Sequence, residues 1–298
     1  MPSAIRALDS SFAEVVELDA PITKVVSGFE FTEGPVFSRI GFLLFSDLPS
    51  QRILKFTLRI GGDGPADGEL SVFREQSNRA NGLTFDHQGR LLTCETGTGR
   101  VTRTEKNGDI AVLAERHDGR RLCSPNDLVY MIDGSVFFSD MPRPDQQLGP
   151  EYTGYPAIYQ ITPKGQVRLA TREPERGNGV ALDPKQQILY VADSARQTIW
   201  AFDIGADGSL AQGRVLTELG SDSPGNADGL KTDEAGNVYC TGGGLISVFT
   251  KEGKPLGTIE PPETPSNLCW GPGFRGLYIT ARTSVYYVPT EIPGTRTF

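Results

Sequence analysis

The chain alternates short apolar runs with turn residues. One stretch shows the unit plainly: Asn178-Gly-Val-Ala-Leu-Asp-Pro, then Gln186-Gln-Ile-Leu-Tyr-Val-Ala-Asp, then Thr198-Ile-Trp-Ala-Phe-Asp. Asp183-Pro184, Asp193-Ser194 and Asp203 punctuate the three runs. Val191, Ile199 and the aromatics favour extended backbone, so the pattern predicts a three-stranded antiparallel meander. A lone meander cannot bury its faces and needs neighbours.

The neighbours are further copies of the same unit. They open with Glu33-Gly-Pro-Val-Phe, Asn81-Gly-Leu-Thr-Phe, Asn126-Asp-Leu-Val-Tyr, Asp228-Gly-Leu-Lys-Thr and Asn267-Leu-Cys-Trp. With the copy at Asn178 they recur every ~40 to 50 residues, a repeat of several strands that marks a β-propeller. The predicted fold is all-β: one six-bladed propeller over residues 1–298, with blades starting near 33, 81, 126, 178, 228 and 267. The sixth copy is one strand short when the chain ends. Val15-Val16-Glu17-Leu18 is expected to supply that strand as the outer edge of the last blade, which would remove an open edge.

Composition narrows the function. The net charge is −8 and no basic run occurs, which excludes nucleic acid as a partner. No apolar stretch reaches membrane-spanning length. The first 20 residues lack the apolar core of a secretory signal, so a cytoplasmic protein is expected, with the periplasm as the alternative if a leader has been removed. Cys94, Cys123, Cys240 and Cys269 show no CxxC spacing and read as buried free thiols. His87 and His117 fall in turn-like contexts and read as exposed, which disfavours a zinc site and a His-dependent mechanism. Neither a Gly-x-Ser-x-Gly elbow nor His-Glu-x-x-His is present. Gly61 to Gly68 reads as a hairpin tip. Residues 141–156 form the longest insertion, rich in Pro, Gly and Gln with Tyr152 and Tyr155; this segment reads either as a lid over the ring or as a plain surface loop. Oligomeric state is not legible.

The first strand of a propeller blade lines the channel, so equivalent positions form a ring. The residues opening these strands are Glu33, Asn81, Asn126, Asn178, Asp228 and Asn267, all with a side-chain oxygen. Asn-Gly and Asp-Gly are also turn dipeptides, and a turn is the expected role of Asn81 and Asn267. Glu33 is not a turn residue. Two carboxylates, Glu33 and Asp228, converging with amide oxygens would repel one another, and one hard divalent cation resolves this. Ca²⁺ is the first expectation, with Mg²⁺, Mn²⁺ or Zn²⁺ as alternatives.

At this point the chain resembles a known family. Glu33-Gly-Pro, Ser124-Pro-Asn-Asp-Leu, Asn178-Gly-Val-Ala with Leu189-Tyr-Val-Ala-Asp, and Asp228-Gly-Leu are similar to motifs of the SMP-30/gluconolactonase/LRE family. The resemblance runs from about Val25 to Val288. Arg100-Val-Thr-Arg and Gly119-Arg-Arg-Leu bring it nearest the bacterial gluconolactonases. It implies a lactonase acting on a small, sugar-derived lactone, with one catalytic divalent metal held by Glu33, Asn126, Asn178 and Asp228. Asp228 is then ligand and base, Asn126 shares the catalytic centre, and Asp127 orients a ligand or caps a turn. Asn81, Ser124, Tyr152 and Tyr155 are the candidates for substrate contact. Where animal members carry an Arg two residues before the third-copy Asn, this chain has Ser124. A phosphotriesterase on the same metal, and a metal-stabilised binding propeller without turnover, remain alternatives.

Overall fold

A computed structural model of the chain describes residues 4–220 and 226–296. Six antiparallel sheets form the blades, and the inner strand of each packs on the inner strand of the next until the ring closes. Blade 1 is Thr32–Ser38, Phe42–Asp47, Arg52–Leu58 and Gly68–Arg74; blade 2 is Ala80–Phe85, Leu91–Glu95, Arg100–Thr104 and Ile110–Ala114. Blade 3 is Pro125–Tyr130, Val136–Asp140, Ala157–Ile161 and Val167–Thr171; blade 4 is Gly177–Leu182, Ile188–Asp193, Thr198–Asp203 and Arg214–Glu218. Blade 5 is Leu230–Thr232, Val238–Gly242, Leu245–Phe249 and Pro255–Ile259, and blade 6 contains Pro265–Trp270, Leu277–Ala281 and Ser284–Val288. The six-bladed, all-β prediction holds.

Burial follows position within a blade. Ala80–Phe85, an inner strand, is buried throughout, whereas the outer strand Gly68–Arg74 is mostly exposed. The core lies between blades: Leu92 and Val101 pack on Leu128, Phe138 and Tyr159, and Leu44 and Ile53 pack on Leu83 and Leu91. All four cysteines are free and buried, as expected.

Blade 6 is completed by an N-terminal strand, but not by the expected residues. Thr23–Ser27 pairs with Ser284–Val288 as its outer strand. Val15 and Val16 instead follow a short 3₁₀ helix, Ser10–Glu14, and both are buried with Phe12 between blades 5 and 6. Adjacent residues on a strand face opposite ways, so an edge strand would bury only one of the two valines. Burying both requires the compact turn. Ile5–Ala7 adds a fifth strand to blade 5. The N-terminal segment therefore ties both of the last blades.

Phe12 is the plug of this closure. It is fully buried, and a Cβ on Gly257 would lie 2.2 Å from its ring. Phe12→Ala should destabilise the protein by about 3–5 kcal/mol, the usual cost of emptying an aromatic core site. Chemical denaturation monitored by tryptophan fluorescence checks this.

Candidate active site at the channel mouth

The chain enters every inner strand from the same end of the channel, so the six opening residues share one mouth. In five blades the pairing of first and second strands slips there: between Glu33 and Val36, Ala80 and Leu83, Pro125 and Leu128, Gly177 and Val180, and Pro265 and Asn267. Such a bulge re-aims side chains that a regular strand would send into the sheet. Asp228 lies just before Leu230–Thr232, with its N–H donating to Thr241 O (2.9 Å).

The glycines that follow Glu33, Asn81, Asn178 and Asp228 have a different purpose from the one expected. A Cβ on Gly34 would lie 1.9 Å from Asn81 O, and one on Gly179 would lie 2.1 Å from Asp228 O. These glycines let neighbouring inner strands approach closely; Gly179 N–H donates to Asp228 O (3.1 Å). Asn81, and also Asn267, which Leu268 follows, are strand residues rather than turn residues.

Blade 3 has Asp127 where blades 1, 2, 4 and 5 have glycine and blade 6 has Leu268, and this puts a third carboxylate in the channel. The expectation of two counted only the opening residues. Glu33 accepts Gly34 N–H (2.8 Å) and Asn267 Nδ2 (3.2 Å). Asp127 accepts Leu128 N–H (2.9 Å) and Val180 N–H (3.3 Å), pinning the next blade. Burial, followed by the charge of Asp127, outweighs the hydrogen bonds to Glu33 and pushes its carboxyl up to about 7. Burial raises Asp127 as well. Asp228 rises well above the ordinary carboxylate range, first from burial and then from the charges of Glu33 and Asp127. Lys231 offsets part of the excess negative charge at Glu33 and Asp127.

The donor set fits a hard cation. Asn178 Nδ2 donates to Ser194 Oγ (3.0 Å), which itself donates to Ala227 O (2.6 Å). That fixes the amide and leaves Asn178 Oδ1 buried without a hydrogen-bond partner. An unmatched amide oxygen among mutually repelling carboxylates suits an oxygen-loving divalent ion. Among the described residues no three His, Cys, Asp or Glu side chains group as a metal cage; the ring mixes carboxylate with amide oxygens.

Above the ring, Ser124 Oγ lies within donating distance of Thr96 O (3.2 Å) and Gln146 Oε1 (3.1 Å), which share its one hydroxyl proton. Arg143 Nη1 donates to the same Ser124 Oγ (2.8 Å). Residues 141–156 thus reach the mouth through Arg143 and Gln146. The tyrosines of that segment pack elsewhere: Tyr155 lies under Arg172 (3.8 Å), and Tyr152 lies beside Arg121 (5.5 Å). The segment is joined to a two-stranded ribbon, Arg116–His117 with Arg120–Arg121, by Arg121 N–H to Glu151 O (2.7 Å) and Thr153 N–H to Arg121 O (2.8 Å). His117 is in this ribbon with its side chain 13% exposed, against Tyr159 (5.2 Å), rather than in an exposed turn. Tyr159, on the third strand of blade 3, is the ring it packs against. Arg79 and Arg176 stand two residues before Asn81 and Asn178. The sequence signal for them was the position of Ser124 in its own copy, read in only one blade.

The family described as the SMP-30/Gluconolactonase/LRE-like region matches residues 16–283. A gluconolactonase of Zymomonas mobilis is 28% identical, covering 94% of this chain and 84% of its own length. A diisopropyl-fluorophosphatase of Loligo vulgaris is 24% identical, covering 90% of each. The solved structure of a Xanthomonas campestris gluconolactonase superposes with a TM-score of 0.86 at 29% identity, covering 96% of this chain and 94% of that one.

Carboxyls raised by folding make stability fall as pH rises. Folded Glu33 holds its proton up to about 7, whereas a free Glu releases it near 4.5. Between those values the folded state binds more protons, so in chelator the protein should lose stability as pH rises through this window. Glu33→Gln has no proton to lose and should flatten part of that decline in urea denaturation curves. A decline as steep as in the unaltered protein would count against the buried carboxyl.

Proposed function

The chain belongs to the SMP-30/gluconolactonase/LRE-like family, and on that premise we propose that it is a lactonase that opens the ring of a sugar lactone at the Glu33–Asp228 mouth. The observation that carries the proposal is the buried, partnerless Asn178 Oδ1 on a ring with three raised carboxyls. A divalent cation held by Glu33, Asn126, Asn178 and Asp228 would draw those carboxyls into their ionised forms, polarise the lactone carbonyl and offset the charge of the tetrahedral oxyanion. Ca²⁺ suits this mixed carboxylate and amide set best.

Asp228 is the base. Its carboxylate takes a proton from water as the water oxygen bonds to the carbonyl carbon. When the adduct collapses, the bond from the carbonyl carbon to the ring oxygen breaks, and Asp228 returns the proton to that oxygen as it leaves as a hydroxyl. Asp127 holds the ring still through Leu128 N–H and Val180 N–H. Asn126, half-buried at the mouth, and Asn81 face the substrate. The four free cysteines suit a reducing, cytoplasmic setting. Phosphotriester hydrolysis is a second reading, favoured by the similarity to the Loligo enzyme; an aryl phosphotriester assayed beside the lactones tests it.

Asp228→Asn keeps size and one oxygen but loses the proton acceptor. At saturating Ca²⁺ its kcat on glucono-δ-lactone should stay down by about 10² or more, the scale of lost general base catalysis. Asn178→Ala removes a neutral donor, so added Ca²⁺ should restore most of its activity. Recovery of near-normal kcat in Asp228→Asn would transfer the base role to Glu33.

A further inference from the structure

Three arginines share one side of the rim above the carboxylates. Arg79 precedes Ala80–Phe85, and Arg176 precedes Gly177–Leu182. Between them, at Ser124, residues 141–156 deliver Arg143, whose Nη1 donates to Thr96 O (2.7 Å) and Ser124 Oγ (2.8 Å). Thr96 N–H in turn donates to Arg79 O (3.3 Å), and Met141 Sδ accepts Arg176 Nε (3.2 Å). Consecutive blades 2, 3 and 4 thus each present a guanidinium at neighbouring points of the mouth.

Among the described residues none of these guanidiniums has a buried carboxylate in ion-pair contact; Arg79 acts on Asp145 and Arg176 on Asp228 only through longer-range charge. Among the described residues the Arg79 side chain has no hydrogen bond or ion pair, and its Nε is buried. The Arg176 side chain has only the Met141 thioether as a hydrogen-bond partner. Arg143 pairs with Asp145, whose side chain is 62% exposed. The chain carries 37 acidic against 29 basic residues, so carboxylates are not scarce. A guanidinium fork is shaped for carboxylate or phosphate.

We infer that the lactone carries an anionic group, a carboxylate or a phosphate, which Arg79, Arg143 and Arg176 hold while its carbonyl faces Asp228. This rests on the lactonase reading above. The charge pattern orients such a substrate: the ring carboxylates repel the anionic end and the arginines attract it, so one direction of entry is favoured. A neutral lactone has no group that calls for three cations.

The test compares matched pairs: glucaro-γ-lactone against glucono-γ-lactone, and phosphorylated glucono-δ-lactone against the unphosphorylated one. One acidic lactone should exceed its neutral partner by about tenfold or more in kcat/KM, mainly through KM, the scale of a hydrogen bond to a charged group. The carboxylate and phosphate arms show which anion is meant. Arg79→Ala and Arg176→Ala should each lower that acidic-to-neutral ratio about tenfold, and Arg176→Lys, which keeps charge without the fork, by less. Calorimetry of glucarate and phosphogluconate against the uncharged polyol glucitol gives a readout that needs no turnover, with at least one of the first two binding more tightly. Neutral lactones used as well as acidic ones, or ratios unchanged in the arginine variants, would overturn the inference and leave the lactonase reading standing. Absence of turnover on all four lactones would remove the lactonase reading itself, and binding of glucitol as tight as that of both anions would remove the anion-selective rim with it.

Discussion

Repulsion among Glu33, Asp127 and Asp228 is the constraint on which the rest of the structure depends. Three carboxylates facing one channel would push apart any scaffold that could yield. Here the scaffold is a closed ring, and moving one inner strand outward means moving its neighbours. The glycine contacts at Gly34 and Gly179 lock adjacent strands backbone to backbone. Hydrogen bonds then tie the charges themselves to the frame, Glu33 to blade 6 through Asn267 and Asp127 to blade 4 through Val180. Closure of blade 6 by Thr23–Ser27 belongs to the same logic, because a ring open at one blade could relax.

The mouth divides into two layers with different freedom. The carboxylate layer is built from inner strands, where the backbone of each blade sets the next. The rim above is built from the 141–156 segment, the Arg116–Arg121 ribbon and the residues just before each inner strand. Rim residues can change without disturbing the ring. Ser124 illustrates this: on its own it is a small hydroxyl, yet Arg143 arrives from a separate segment to bind it. The chemistry of the reaction is thus separable from recognition of the substrate.

Much of this was legible in the sequence because a propeller repeats. Six apolar triplets with a polar residue at the head of each predicted the fold, the ring and the shared mouth. What the repeat could not carry was whatever breaks it. Asp127 sits where four other copies have glycine, so a reading of opening residues alone passed over the third carboxylate. Asn-Gly and Asp-Gly looked like turns because glycine is the turn residue; the absence of a Cβ instead serves close strand approach, a contact with another blade that local sequence does not show. Val15-Val16 looked like a strand because both are β-branched, but two adjacent buried valines need a compact turn between two blades. Arg143 returns to Ser124 after the first two strands of blade 3, from an irregular segment, and no periodicity reports such a contact.

We propose that the ring holds one divalent cation on oxygens from four blades. Anomalous diffraction from crystals soaked in Mn²⁺ tests it most directly, since manganese is a hard, oxygen-binding ion with a strong anomalous signal. The account predicts a single dominant peak within coordination distance of Glu33, Asn126, Asn178 and Asp228, lost in Asp228→Ala crystals. A dominant peak elsewhere, or a peak that survives Asp228→Ala unchanged, would contradict it.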